Sequence, residues 1–168
     1  MEYPSIENLY VRDMTTHKVL PDKLKRPEFA IPQRWLVTEK IDGMNVRIIL
    51  NNGDPANLTP GPQVIYGGRT SAAQMPKPLL AMLRERFPLE KVVAAFDPGT
   101  EATIFGEGYG PGIQKGGGNY SPVVSFRVFD VVIFAGRPWW LNWADVESVA
   151  SKIGAETVPV RGMFTLDD

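Results

Sequence analysis

The segment WLVTEKIDGMNVRIIL, residues 35–50, inserts a short charged and turn-forming stretch between two runs of large apolar and β-branched residues. Such runs are typical of strands that bury much of their surface. We therefore expect Glu39, Lys40 and Asp42 to be drawn towards the protein interior, where a charge is costly unless it is paired or used. Taken alone, Asp42-Gly43 also fits the turn of a type I′ hairpin with an exposed lysine.

Composition sets limits on what the chain can be. It has 168 residues, 43% hydrophobic and 22% charged, which suits a protein with a buried core. The absence of cysteine excludes disulfide bonds, cysteine-ligated zinc and thiol catalysis. A formal net charge of −1 gives no overall attraction to nucleic acid, although a local basic patch does not depend on that total. Since no segment resembles a membrane span or a signal peptide, we expect no membrane partner and a cytoplasmic protein, or a virus-encoded one acting in the host cytoplasm.

Strands outnumber helices in the hydrophobic pattern. Runs rich in β-branched and aromatic residues predict strands, whereas apolar residues at helical spacing predict two helices. Many strands with two helices predict a single α+β domain over residues 1–168, rich in antiparallel sheet. The predicted strands are 34–40, 44–50, 63–70, 102–110, 123–134 (the most apolar, hence central) and 155–160; the predicted helices are 75–88 and 142–154; residues 91–96 fit either state, 1–33 read as irregular and 51–62 as a loop.

A second notable segment is IFGEGYGPGIQKGGGNYSP, residues 104–122, in which seven glycines form a dense loop. It matches neither the P-loop pattern nor the dinucleotide-binding G-x-G-x-x-G that opens a helix. A simple flexible loop is one interpretation. The other is a ligand loop, because bare backbone around Glu107, Gln114 and Lys115 suits close approach to a polyanion.

The third segment is SFRVFDVVI, residues 125–133. Phe126 and Phe129 are most simply core residues. Asp130 stands in the middle of this apolar run, and a buried carboxylate requires a partner.

In their order along the chain, these segments resemble the motifs of the covalent nucleotidyltransferases, the superfamily of polynucleotide ligases and mRNA capping enzymes. The match is closest to the RNA ligase family of the phage and RNA-editing type. EKIDGMN resembles that family's nucleotidyl motif, commonly E-K-[IVL]-D-G-T-N, with Met44 in place of threonine. GGRT resembles its arginine motif, GEGYGPGIQKGGGNY its glutamate motif, and FRVFDVVI its aromatic–aspartate motif. The resemblance extends from about residue 4 to residue 161 and implies an antiparallel-sheet-rich nucleotidyltransferase domain, similar to ATP-grasp ligases.

The resemblance also implies an activity. A lysine attacks the α-phosphate of ATP, the resulting lysyl-AMP passes AMP to an RNA 5′-phosphate, and an RNA 3′-hydroxyl then seals the strand. ATP, RNA and Mg²⁺ (or Mn²⁺) are the implied cofactors and partners. Carried onto this sequence, the residues are Lys40 as nucleophile, Asp42 on the metal or water side, Glu39 and Ile41 beside the nucleotide, Asn45 near the phosphate and RNA end, Arg69 on ribose and phosphate, Glu107 on a ribose hydroxyl, Phe129 stacked on adenine, and Gln114 towards the nucleic acid.

The family pattern continues with an E-G motif and a K-x-K motif that bind metal and phosphate. Neither follows here, since Glu147 and Glu156 precede Ser and Thr. We therefore expect a domain incomplete at its C-terminus, completed by a missing segment or a second chain, and weakly active or inactive alone. A non-catalytic remnant that binds nucleotide or nucleic acid, and a capping-type guanylyltransferase, are the alternatives.

Overall fold

The computed structural model describes residues 1–54 and 59–166. Its contacts separate two compact units. The main unit combines Met1–Tyr3 with Lys40–Val158, and the small unit combines Pro4–Glu39 with the described residues from Pro159 onwards. The assignment of the chain to a single domain stays a prediction. The elements are β1 (Tyr10–Arg12), β2 (Val19–Leu24), β3 (Trp35–Thr38), β4 (Met44–Asp54), β5 (Thr59–Gly68), α1 (Lys77–Arg86), α2 (Leu89–Val93), β6 (Glu101–Tyr109), β7 (Ser125–Phe134), β8 (Pro138–Trp140), α3 (Trp143–Lys152), β9 (Glu156–Thr157) and β10 (Val160–Phe164).

The main unit is built on a six-stranded sheet. Its strands follow the order β5-β4-β6-β7-β8, all antiparallel, and the short β9 pairs with β7 in parallel. The predicted α+β fold rich in antiparallel sheet is confirmed, and the apolar run at 123–134 does form an interior strand. No helix of the described residues is long and apolar enough to cross a membrane.

One face of this sheet forms the core. Val46, Ile48 and Leu50 alternate along β4 and are buried in the same cluster as residues of β6 and β7. The three helices supply the other side of that cluster. Their buried side chains are Leu79 and Leu83 of α1, Val92 of α2, and Val146, Val149 and Ala150 of α3.

Local signals explain where the helices begin and end. The side chain of Asn142 accepts a hydrogen bond from the Asp145 N–H at 3.0 Å and so caps α3, while Gly154 follows the helix with a φ of +68° that favours glycine. Both predicted helices are confirmed. Of residues 91–96, which fitted either state, 91–93 form the end of α2 and none lies in a strand.

The opposite face of the sheet is shaped by an irregularity between β6 and β7. Phe105 pairs with Asp130, but Gly106 pairs with Val128, so Phe129 has no partner in the ladder. This extra residue is typical of a β-bulge, which redirects a side chain next to a functional surface.

The small unit holds two two-stranded sheets, β1-β2 and β3-β10. The prediction that residues 1–33 are irregular was therefore wrong, because β1, β2 and a 3₁₀ turn at Pro27–Ala30 lie within them. The predicted loop at 51–62 was also wrong at its ends, which belong to β4 and β5; its centre, 55–58, lies outside the described residues.

The segment 35–50 does not form a hairpin. β3 pairs with β10 in the small unit, whereas β4 pairs with β5 and β6 in the main unit. The expectation of two buried strands holds only for β4, because Leu36 and Val37 of β3 are 37% and 39% exposed. The burial predicted for Lys40 and Asp42 was wrong, since both residues are exposed.

Candidate functional site

The turn that carries the lysine lies against the end of β6. Gly43 has no room for a side chain, because a Cβ there would overlap the carbonyl oxygen of Gly108 and lie 2.9 Å from Cγ of Glu107. The N–H of Gly43 donates a hydrogen bond to the Glu107 carboxylate. Close packing and this bond place the turn beside a carboxylate more than sixty residues away in the sequence.

Glu107 is the electrostatic centre of this arrangement. Burial raises the pKa of its carboxyl to about 7; the positive charge of Lys40 and the Gly43 N–H oppose the rise, and the charge of Asp42 adds to it. Lys40 and Asp42 thus lie within electrostatic reach of Glu107. The structure brings together three of the four residues for which the sequence predicts catalytic roles.

The sheet register aligns further polar residues with Glu107. Asn45 of β4 and Arg127 of β7 are its direct partners on either side, so all three side chains share the face opposite the core. The Asn45 Oδ1 atom is buried without a hydrogen-bond partner among the described residues. Arg69 is exposed and directly follows Gly68, whose partner is Val46, so it lies at the same end of the sheet.

Arg127 is a charged residue of this face that sequence reasoning missed. Its guanidinium forms an ion pair with Glu156 at 2.7 Å, and its Nε donates to the hydroxyl of Tyr109 at 3.1 Å. The only signal was its alternation with Phe126 and Val128, which places it opposite the core. Its guanidinium is therefore held by Glu156 and Tyr109, on the strand position that pairs with Glu107.

The glycine-rich segment divides into two parts with different roles. Gly106 and Gly108 belong to β6, which confirms the predicted strand at 102–110 and not the dense loop, and they face the core: a Cβ would overlap the Phe126 ring at Gly106 and meet Leu79 at Gly108. The loop proper begins near Gly110. A Cβ at Gly116 would lie 3.0 Å from Oδ2 of Asp42, so this loop passes beside the lysine turn.

Gln114 lies in that loop. It is exposed, and its side chain makes no hydrogen bond to another described residue. Its backbone carbonyl accepts from the Gly117 N–H at 3.0 Å, which helps to fold the loop.

Phe129 and Phe126 have different environments. Phe126 is a core residue, 1% exposed, with its ring centroid 5.5 Å from that of Phe87. Phe129, the unpaired residue of the bulge, is only partly buried and packs against the cluster formed by Ile41, Tyr109 and Val158. The structure therefore leaves Phe129 as the aromatic of this segment that has a surface for a ligand.

Asp130 finds its partner at the N-terminus. The hydroxyl of Tyr3 donates to its Oδ2 at 3.0 Å, and its Oδ1 accepts from the Val131 N–H. Burial raises the pKa of Asp130, while these two bonds lower it. No sequence pattern pointed to Tyr3, because residues 1–33 were predicted to be irregular.

Glu39 belongs to the small unit, unlike the other candidate residues. Its carboxylate pairs with Arg161 at 2.5 Å, and its backbone N–H donates to the carbonyl of Pro159. Its predicted contact with the nucleotide stays a prediction.

In the described part of the chain, no group of three or more acidic, histidine or cysteine side chains gathers that could hold a metal ion by itself. Asp42, with an exposed carboxylate beside Glu107, offers oxygen atoms only. Mg²⁺ commonly binds one or two carboxylates and completes its shell with substrate phosphates, so this donor set fits it.

The fold and the site define an α+β protein with a charged, lysine-bearing site at one end of an antiparallel sheet. The family model for RNA ligase matches residues 33–168. The chain therefore belongs to the RNA ligase family, a family of enzymes.

Comparison with solved structures finds the same fold elsewhere. One match is an archaeal ATP-dependent RNA ligase, form 2, with 19% identity and a TM-score of 0.57; form 1 matches with 20% identity and a TM-score of 0.48. Each alignment covers 81% of this chain and 33% of the other, so the chain spans about a third of the length of those ligases. Comparison with curated proteins gave no match.

Proposed function

We propose that this chain forms the ATP-binding part of an RNA ligase in which Lys40 accepts AMP. The observation that supports this function is the convergence of Lys40, Asp42 and the Gly43 N–H on Glu107. These are the residues through which the sequence resembles a nucleotidyl-transfer site. The substrates are ATP and RNA with 5′-phosphate and 3′-hydroxyl ends.

The proposed reaction begins at the exposed amine of Lys40. Its Nζ attacks the α-phosphorus of ATP; the N–P bond forms as the bond to pyrophosphate breaks, and the Nζ proton passes to solvent. An oxygen of the RNA 5′-phosphate then attacks the same phosphorus and frees the lysine. Finally the RNA 3′-hydroxyl displaces AMP and seals the strand.

The neighbouring residues hold the substrates. Glu107 accepts a hydrogen bond from a ribose hydroxyl, Phe129 stacks on adenine, and Arg69 pairs with phosphate. Asn45 and Gln114 lie towards the RNA end, and the unsatisfied Oδ1 of Asn45 is suited to accept a hydrogen bond from a ligand.

Asp42 is the residue that would hold a divalent metal. When bound there, Mg²⁺ would neutralise the negative charge that develops on the phosphate oxygens. Arg69 and Arg127 would add positive charge on the same side of the sheet.

The test is covalent labelling with ATP radiolabelled on its α-phosphate, in Mg²⁺ and with pyrophosphatase to remove the released pyrophosphate. We expect a weak label, located on the peptide that contains Lys40, and no label in Lys40→Ala. Lys77→Ala, an exposed lysine of α1, is the matched control and should label as the unsubstituted chain does.

Other outcomes would assign a different function. ATP binding by calorimetry without any covalent label would indicate a non-catalytic binding protein. A label from GTP in preference to ATP would indicate a capping-type guanylyltransferase. A label that persists in Lys40→Ala would exclude Lys40 as the nucleophile.

A further inference from the structure

The first three residues cross the site face of the sheet. The buried Arg47 donates from Nη1 to the carbonyl oxygen of Met1 at 2.9 Å and from Nε to that of Gly68 at 2.6 Å. Two residues further, the Tyr3 hydroxyl reaches Asp130. Arg47, Phe105 and Asp130 are consecutive partners across β4, β6 and β7, so Met1–Tyr3 spans the row next to that of Asn45 and Glu107.

The Tyr3 ring lies among three aromatic rings of this face. Its centroid is 4.9 Å from that of Phe105, 5.0 Å from Phe129 and 5.7 Å from Trp140. The contact with Phe129 is edge-on, with an angle of 74° between the ring planes. Edge-to-face pairs of this kind stabilise a defined relative orientation of the two rings.

Phe129 needs such a contact because the sheet does not orient it. It is the extra residue of the bulge and has no partner in the ladder. The orientation of its ring is therefore set by the side chains that contact it. These are the cluster around Ile41 and the ring of Tyr3. The hydrogen bond from the Tyr3 hydroxyl goes to the carboxylate of Asp130, the very next residue, and that carboxylate also accepts from the Val131 N–H.

We propose that Tyr3 is a positioning residue, anchored by Asp130, that holds the Phe129 ring in the orientation needed to stack on a nucleotide base. This inference rests on the proposed function, in which Phe129 is the adenine platform. Burial, together with the charge of Asp130 and the hydrogen bond to it, raises the pKa of Tyr3, so its hydroxyl remains a donor even above the pH at which an ordinary tyrosine ionises.

The experiment compares dissociation constants for ATP and for inorganic tripolyphosphate, measured by calorimetry on the full chain. Tyr3→Leu and Phe129→Leu should each weaken ATP binding roughly tenfold, because base–aromatic stacking contributes about that much, and leave tripolyphosphate unchanged. The double variant should be no weaker than Phe129→Leu, since both substitutions remove one interaction. Trp139→Leu, an exposed aromatic of β8 without a ring contact to Tyr3, is the control and should change neither constant.

Tyr3→Phe is the second variant, for the case that Tyr3→Leu does not fold, because it keeps the ring and removes only the hydroxyl. We expect it to fold and to bind ATP roughly threefold more weakly, between the unsubstituted chain and Tyr3→Leu. If both Tyr3 variants bind ATP as the unsubstituted chain does while Phe129→Leu binds it more weakly, the role of Tyr3 is overturned and the proposed function is not. Equal losses for ATP and tripolyphosphate in Tyr3→Leu would also overturn it. Unchanged ATP affinity in Phe129→Leu would overturn the adenine platform itself, and the role of Tyr3 with it.

Discussion

At the scale of single residues, Gly43 decides how closely the lysine turn approaches β6. Its position leaves no space for a methyl group beside the Gly108 carbonyl. We predict that Gly43→Ala destabilises the protein by about 1–3 kcal/mol, as overpacking typically does. Urea denaturation measures the change.

Gly118→Ala is the matched control for that substitution, because nothing lies within 4 Å of a Cβ there and its φ is not in the left-handed region. It should change the free energy of unfolding by less than about 0.5 kcal/mol. Equal stability of the two variants would contradict the close packing of the turn.

Glu107 makes the stability of the fold depend on pH. Its pKa is about 7 in the folded chain against an ordinary 4.5, so between these values the folded state retains a proton that the unfolded state has lost. Stability from this residue is fully present below pH 4.5 and decreases as pH rises to 7. We expect a loss of about 1 kcal/mol, after allowance for solvent screening of a partly exposed group.

The measurement is urea denaturation at several pH values from 4 to 8. Glu107→Gln should lose this part of the pH dependence, since an amide does not titrate. Glu85→Gln removes an exposed carboxylate of α1 and should retain it. Identical slopes in the unsubstituted chain and in Glu107→Gln would exclude the raised pKa.

At the scale of elements, α3 carries a large part of the core beneath β7. Its first turn is closed by reciprocal bonds: the Asp145 N–H donates to Asn142, and Asn142 Nδ2 donates to the Asp145 carboxylate at 2.7 Å. We predict that Asn142→Ala lowers the free energy of unfolding by about 1 kcal/mol, whereas Asn142→Ser, which keeps a cap acceptor, lowers it by less. Equal losses in a thermal or urea melt would show that the cap is not what stabilises the helix.

The β6 strand shows why a glycine pattern alone misleads at this scale. In G-E-G the two glycines make room for Phe126 and Leu79 on the core face, and Glu107 between them points to the other face. Because successive residues of a strand face opposite sides of the sheet, the same tripeptide packs against the core with its glycines and presents a carboxylate on the other face. The predicted strand at 102–110 is confirmed by β6, whereas the interpretation of all seven glycines as one dense loop was wrong, because the loop begins only near Gly110.

At the scale of the whole molecule, the two units differ in their cores. Every buried hydrophobic residue of the described chain belongs to the main unit, from Ile41 to Val158. Regions without buried apolar contacts open at low free energy. We predict that backbone amides of β1, β2, β3 and β10 exchange with deuterium at least about tenfold faster than those of β6 and β7. Equal protection in a hydrogen-exchange experiment would contradict this difference.

The sequence by itself determined the interior strands, the helices α1 and α3, and the order of the motifs that resemble an RNA ligase. It could do so because periodicity, caps and short motifs are local properties of the chain. The residues alone indicated core positions for both Phe126 and Phe129, only the resemblance favoured Phe129 for the adenine, and neither Arg127 nor Tyr3 received a role.

Tertiary structure alone decided which of these residues meet. Glu107 meets Lys40, Asp42 and Gly43 only because the turn that carries them packs against β6, and Tyr3 reaches Asp130 across 127 positions. The strand register places Phe126 in the core, and the bulge places Phe129 beside the candidate site. Such contacts depend on how strands pair and on what packs across them, and no pattern within a short window contains that information.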